Sequence, residues 1–268
     1  MKAALLASLA GLTLASAAMG QLSLSAVTNV PGTFVDISGT GTSIGTITDD
    51  FQGIFTTTVG NQIFPAGQVV ASNNGWAATG FTSAITSGSY ANQSISGTTF
   101  PTATGSMRTG GTNYMMPYWD DFLPSTNTAT PSSVRWQEID NVLYIQWTNE
   151  DLFNAGGNGV GTMQMQIYGT PFVSGGSMVY AQFVYRDTNF GTASPANDGG
   201  QASIGYLSSS PANANTVQFS FNTQSVTGTT DNPTPGLPNV VSLVTAVPTP
   251  GAAALMGLAG LVGLRRRR

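Results

Sequence analysis

The 268 residues carry 12 acidic and 8 basic side chains, no histidine and no cysteine, with 33 glycines, 14 prolines and only 7% charged positions. Without His or Cys there is no Ser-His-Asp triad, no Cys-His pair, no imidazole acid–base catalysis, none of the usual zinc sites and no disulfide. Between residues 21 and 247 three arginines, Arg108, Arg135 and Arg186, face all 12 acids, which argues against nucleic acid as a partner.

The first residues read as an export signal. Lys2 supplies the positive region, Ala3 to Leu14 the apolar core, and Ala15 to Gly20 the small residues that a signal peptidase prefers, with the cut expected before Gln21. Residues 1–20 are thus a signal peptide, helical while it is in the membrane.

The body, residues 21–231, reads as one all-β domain. Thr46 to Thr58 and Gln68 to Ala78 are β-rich, with Ser72-Asn73-Asn74-Gly75-Trp76 marking a turn, and Ser83 to Thr112 is a Ser/Thr/Gly-rich edge strand or long loop. Val134 to Asp140 and Val142 to Trp147 meet at Asp140-Asn141, a dipeptide suited to a tight hairpin. Alternation then becomes regular. Met163, Met165 and Ile167 oppose Thr162, Gln164 and Gln166, and the pattern repeats at Val179, Ala181, Phe183 and Tyr185, at Ala202, Ile204 and Tyr206, and at Val217, Phe219 and Phe221. One buried face per strand predicts an antiparallel β-sandwich. Residues 232–246, opening with three prolines up to Pro238, read as a linker.

Four landmarks of the body occur in order: Ser-Asn-Asn-Gly-Trp at 72–76, Met116-Pro117-Tyr118-Trp119-Asp120-Asp121, Tyr144-Ile145-Gln146-Trp147-Thr148-Asn149, and Met165-Gln166-Ile167-Tyr168. Their order resembles that of nidogen-like extracellular β domains. The resemblance implies interaction or scaffolding and brings no catalytic residue.

Residues 247–268 form the second address. Val247-Pro248-Thr249-Pro250-Gly251 precedes an apolar run from Ala252 to Leu264 and then Arg265, Arg266, Arg267 and Arg268. Thr249 is placed as a helix N-cap and Pro250 as the first helical residue. A helix from Pro250 to Leu264 is roughly 22 Å long, short of a hydrocarbon core of about 30 Å, so it needs snorkelling arginines and help from the upstream Val240, Val241, Leu243, Val244 and Val247 at the interface. The arginines orient the segment with its far end in the cytoplasm. This order of parts resembles the PEP-CTERM sorting signal, with Thr249 where that family carries glutamate. The resemblance implies an exosortase-type enzyme as processing partner and transient anchoring in the inner membrane.

Several chemistries compete for the remaining groups. Asp120, Asp121, Glu138, Glu150 and Asp151 are the carboxylates that glycosidase chemistry would draw on, although acids between strands more often cap turns. Calcium suits the oxygens better, with Asp120 and Asp121, Glu150 and Asp151, or Asp187, Asn189 and Asp198 as ligand sets. Trp76, Tyr118, Trp119, Trp136 and Trp147 are candidate sugar platforms. Tyr118 and Trp119, placed in a loop, are the preferred pair, whereas Trp147 shares a face with Leu143 and Ile145. The sequence therefore predicts an exported cell-surface or matrix protein with a structural or adhesive role and no catalytic residues. No cofactor is expected beyond calcium. The alternative is a calcium-assisted carbohydrate-binding module, with Tyr118, Trp119, Asp120 and Asp121 at its site and extracellular polysaccharide as partner.

Overall fold

The computed structural model describes residues 22–81, 92, 94–95, 112–125, 131–153, 161–191, 194–208, 216–230 and 238–246. The signal peptide, the tail 247–268, nearly all of the linker 232–238 and most of Ser83 to Thr112 lie outside the described residues. No helix among the described residues is long and apolar enough to cross a membrane.

The fold is all-β, in two antiparallel sheets. Its strands are β1 (Ser25–Val27), β2 (Thr42–Ser43), β3 (Gln52–Thr57), β4 (Gly67–Ser72), β5 (Trp76–Thr79), β6 (Asn113–Trp119), β7 (Phe122–Pro124), β8 (Ser133–Ile139), β9 (Val142–Leu152), β10 (Gly161–Ser174), β11 (Ser177–Asp187), β12 (Ser203–Ser208), β13 (Thr216–Phe221) and β14 (Val240–Ala246). The first sheet runs β1-β14-β11-β10-β9-β8-β2, with β7 also pairing β9, and the second runs β13-β12-β6-β5-β4-β3.

The alternating residues form the layer between the sheets. Leu143, Ile145 and Trp147 of β9, Met163, Met165 and Ile167 of β10, and Phe183 and Tyr185 of β11 share one core with Ala71, Ala77, Met115, Ile204 and Tyr206 of the second sheet. Trp147 lies wholly inside, as its strand pattern predicts, and its Nε1–H donates to the Ser72 carbonyl at 2.6 Å. Asp140 and Asn141 both take positive φ (50° and 62°), the pair of left-handed residues that a two-residue hairpin turn requires.

Two expectations change. Residues 240–246 are not part of a linker: β14 lies between β1 and β11, antiparallel to both, with Val240, Val241, Leu243 and Val244 buried. Val-Val-Ser-Leu-Val is apolar on both faces, the composition of an interior strand, and these side chains are spent on the core instead of on a membrane interface.

The polar face of β10 is also covered. Gln146, Gln164, Gln166 and Gln182 are buried beneath the segment 31–37 and bond its backbone as a neighbouring strand would. Gln164 accepts from the Val35 N–H at 3.2 Å and donates to the Val35 carbonyl at 2.6 Å, Gln146 accepts from the Ile37 N–H at 2.9 Å, and Gln166 donates to the Thr33 carbonyl at 2.7 Å. Buried amides are tolerated there because their hydrogen bonds are made. The segment closes on Asp36, whose carboxyl is held well below the usual range by Ser38 and Gln146 and, less, by the Arg186 guanidinium at 2.7 Å.

Candidate functional site

Asp49, Asp50, Asp120, Asp121, Glu150 and Asp151 stand at the end of the sandwich where β3, β7 and β12 begin and β4, β6 and β9 end. The organiser is the Asn73-Asn74-Gly75 turn between β4 and β5. Asn74 Nδ2 donates to Asp50 Oδ1 at 2.9 Å while its Oδ1 accepts the Phe122 N–H at 2.8 Å, and Asn73 Nδ2 donates to the Phe122 carbonyl at 2.8 Å. The turn thus fastens the β6–β7 connection, Asp120 and Asp121, beside the residues that lead into β3. Carboxylate oxygens of Asp49, Asp50 and Asp121 consequently lie within 4.8 Å of one another.

Burial, with repulsion from neighbouring carboxylates, pushes Asp50, Asp120 and Asp121 toward their neutral forms. Burial raises Asp50, and the Asp49 charge adds to it although Asn74 pulls the other way. Asp121 is pushed up to about 6, by burial first and then by Asp50 and Asp49. Asp120 rises to about 7 because burial outweighs the Asp121 N–H that donates to its Oδ1 at 2.8 Å. Its Oδ2 is buried without a hydrogen-bond partner. Glu150 is fully buried with neither carboxylate oxygen hydrogen-bonded, and burial drives it well above its ordinary value.

The other sequence candidates do not converge. Glu138 sits toward the opposite end, accepting from the Thr57 and Thr58 hydroxyls at 2.6 and 2.7 Å. Asp187 accepts the Asn189 N–H and Asn189 the Gly191 N–H, both at 3.0 Å, while Asp198 accepts from the Thr188 hydroxyl at 3.0 Å. These oxygens shape their own loop.

The preferred sugar platform is lost. Tyr118 and Trp119 belong to β6 and are wholly buried. Tyr118 packs in the central core, its hydroxyl donating to the Ala196 carbonyl and accepting the Gly199 N–H, and Trp119 lies with Trp76 in a second cluster on the far side of the sheet. Trp136 is half-buried, its ring stacked on Phe55 with centroids 4.6 Å apart. Trp76, Tyr118, Trp119 and Trp147 are fully buried and present no ring face to a saccharide.

No protein-family model, no curated protein and no solved structure matches this chain. The chemistry of the acidic end must be read from its own atoms.

Asp49 and Asp50 are the residues that the sequence reading missed. Their signal was a second Asp-Asp pair at a strand end, with Gln52 registered against Ser72 so that Asp50 falls beside Asn74. Oxygens from three carboxylates and no nitrogen or sulfur match the ligand preference of a hard divalent cation.

A pH dependence follows from Asp120. An unfolded Asp ionises near 3.8 and the folded one only near 7, so between these values the folded state holds the extra proton and stability falls as pH rises. Asp120→Asn, measured in chelator by urea unfolding, is expected to stabilise the protein at pH 7.5 by on the order of 4 kcal/mol and to leave it nearly unchanged at pH 4. Equal effects at both pH values would contradict the assignment.

Proposed function

We propose that the chain is an exported cell-surface or extracellular-matrix protein with a non-catalytic structural or adhesive role, delivered by a C-terminal sorting signal of the PEP-CTERM kind. The observation that carries this reading is the junction. The last strand of the sandwich ends at Ala246, and Val247-Pro248-Thr249-Pro250-Gly251 follows at once. A body whose last described strand ends just before the signal lets a membrane-embedded processing enzyme act at 247–251 without removing any strand of the fold. The nidogen-like order of landmarks is consistent with the same role. Fractionation tests the proposal: the native protein is expected in surface and culture fractions, and a wholly cytosolic protein would contradict it.

Calcium is the second reading, favoured by the convergence of Asp49, Asp50 and Asp121. An ion there would offset the repulsion that raises Asp121. Millimolar calcium is expected to raise the melting temperature by a few degrees at pH 7.5, less at pH 5 where Asp121 is largely protonated, and hardly at all in Asp121→Asn. No shift at pH 7.5 removes the idea. Carbohydrate binding through Tyr118 and Trp119 is not proposed, since both rings are buried.

A further inference from the structure

The sandwich has two unlike ends. Asp49, Asp50, Asp120, Asp121, Glu150, Asp151, Asp187 and Asp198 all stand at the end where β9 and β11 finish, whereas the other end carries the β10–β11 hairpin. That hairpin protrudes. β9 accompanies β10 only as far as Val142 opposite Tyr168, while β10 continues to Ser174, paired with Ser177 around Gly175 and Gly176 at φ 56° and 78°. Near its tip Phe172 is 37% and Val173 60% exposed, two adjacent large apolar side chains in water.

Both ends of the body leave at this tip. Ala246, the last residue of β14, is registered against Ser177, and β1 starts at Ser25 opposite Val244, so Leu22 and Leu24 approach from the same side. The sequence around the tip is uncharged: no Asp, Glu, Lys or Arg occurs in 21–35, 168–185 or 232–247. Asp140 is the nearest acid along the sheet, set back with Asn141, whose carbonyl accepts the Gly169 N–H at 2.9 Å. From Ala246 to the apolar run at Ala252 there are only residues 247–251, which extended reach roughly 17 Å. The hairpin tip is therefore tethered within reach of the polar layer of any bilayer that holds the run.

We propose that this hairpin tip, which extends past Glu138 and Asp140, is a bilayer-docking surface: while residues 252–264 are in the membrane, Phe172 and Val173 enter the lipid interface and hold the sandwich with its acidic end outward. The inference rests on the membrane reading of the tail. Apolar and aromatic side chains gain by leaving water for the interface, and an anionic leaflet repels those carboxylates at the far end that are exposed and ionised. Docking also fixes the height of the Pro248-Thr249-Pro250 segment above the membrane, where an embedded processing enzyme would meet it.

The absence of cysteine makes the test clean. Val173→Cys and, at the acidic end, Phe153→Cys each carry one environment-sensitive fluorophore on the full chain, reconstituted into phosphatidylethanolamine–phosphatidylglycerol vesicles. The expected result is co-flotation of both chains, severalfold quenching by headgroup-region nitroxide lipids at 173, and little quenching at 153. Adding Phe172→Asp should cut the quenching at 173 at least threefold while flotation persists. Flotation with equal, weak quenching at both positions overturns docking and leaves the tail reading standing. A probe at 173 already shielded without vesicles assigns the patch to a second copy or to the chain's own tail and also overturns it. Failure to float overturns the tail reading, and docking with it.

Discussion

A chain cut after Ala246 is expected to fold, and a chain cut after Asn239 is not. The seven residues between the cuts are β14, which joins β1 to the rest of its sheet and pairs with β11 over most of its length. Removing it exposes the edge of β11, frees β1 from its partner and empties the places of Val240, Val241, Leu243 and Val244, all buried. At roughly 1.5–3 kcal/mol for each buried aliphatic side chain, the loss is about 6–12 kcal/mol before any hydrogen bond is counted. That is comparable with the whole stability of a domain, about 5–15 kcal/mol. Circular dichroism and a urea transition on the two truncations decide the matter. A cooperative transition in the chain ending at Asn239 would return β14 to the linker and undo the junction on which the proposed function rests.

The second large effect is expected at Gly75. Its φ of 74° lies in the left-handed region, and a Cβ there would run into the Tyr118 carbonyl oxygen, with the Phe122 ring at 3.1 Å. The close approach is built in, because the Gly75 carbonyl accepts the Tyr118 N–H at 3.3 Å. Gly75→Ala therefore combines a left-handed penalty of about 1–2 kcal/mol with a collision against backbone that Asn73 and Asn74 hold in place. We expect a total of about 3–5 kcal/mol, near the upper limit for a single substitution. Gly175→Ala is the control, since its φ is also positive at 56° but no atom lies within 4 Å of the added Cβ. It should cost only about 1 kcal/mol. If the two variants lose the same stability by chemical denaturation, the Asn-Asn-Gly turn is not the clamp described.

The strands with one polar face were legible because period-two alternation is a direct consequence of the pleat. β8 to β13 follow it, and Asp140-Asn141 marked its hairpin. The alternation said which face was buried first, not that the other stayed wet. Gln164 and Gln166 look solvent-facing in any single strand, and the segment 31–37 that covers them has no periodicity of its own.

Tyr118 and Trp119 were misplaced for a different reason. Pro117 interrupts the run and suggests a loop, yet in β6 it falls where pairing with β12 shifts, between Met116 opposite Gly205 and Trp119 opposite Ser203, so its missing N–H is not needed by the ladder. Part of the acidic end was visible as Asp120-Asp121. The rest required the β3–β4 register, which brings residues from opposite sides of a long intervening stretch together and leaves no mark in local sequence.

The central claim is that residues 247–268 are an address and not part of the functional body. Mass spectrometry of the C-terminal peptide, on native protein from the surface and culture fractions, tests it most directly. The account predicts a terminus near Pro248, with Ala252 to Arg268 removed. A final peptide still containing Ala252 to Arg268 in those fractions would contradict processing and make the protein a tail-anchored membrane protein.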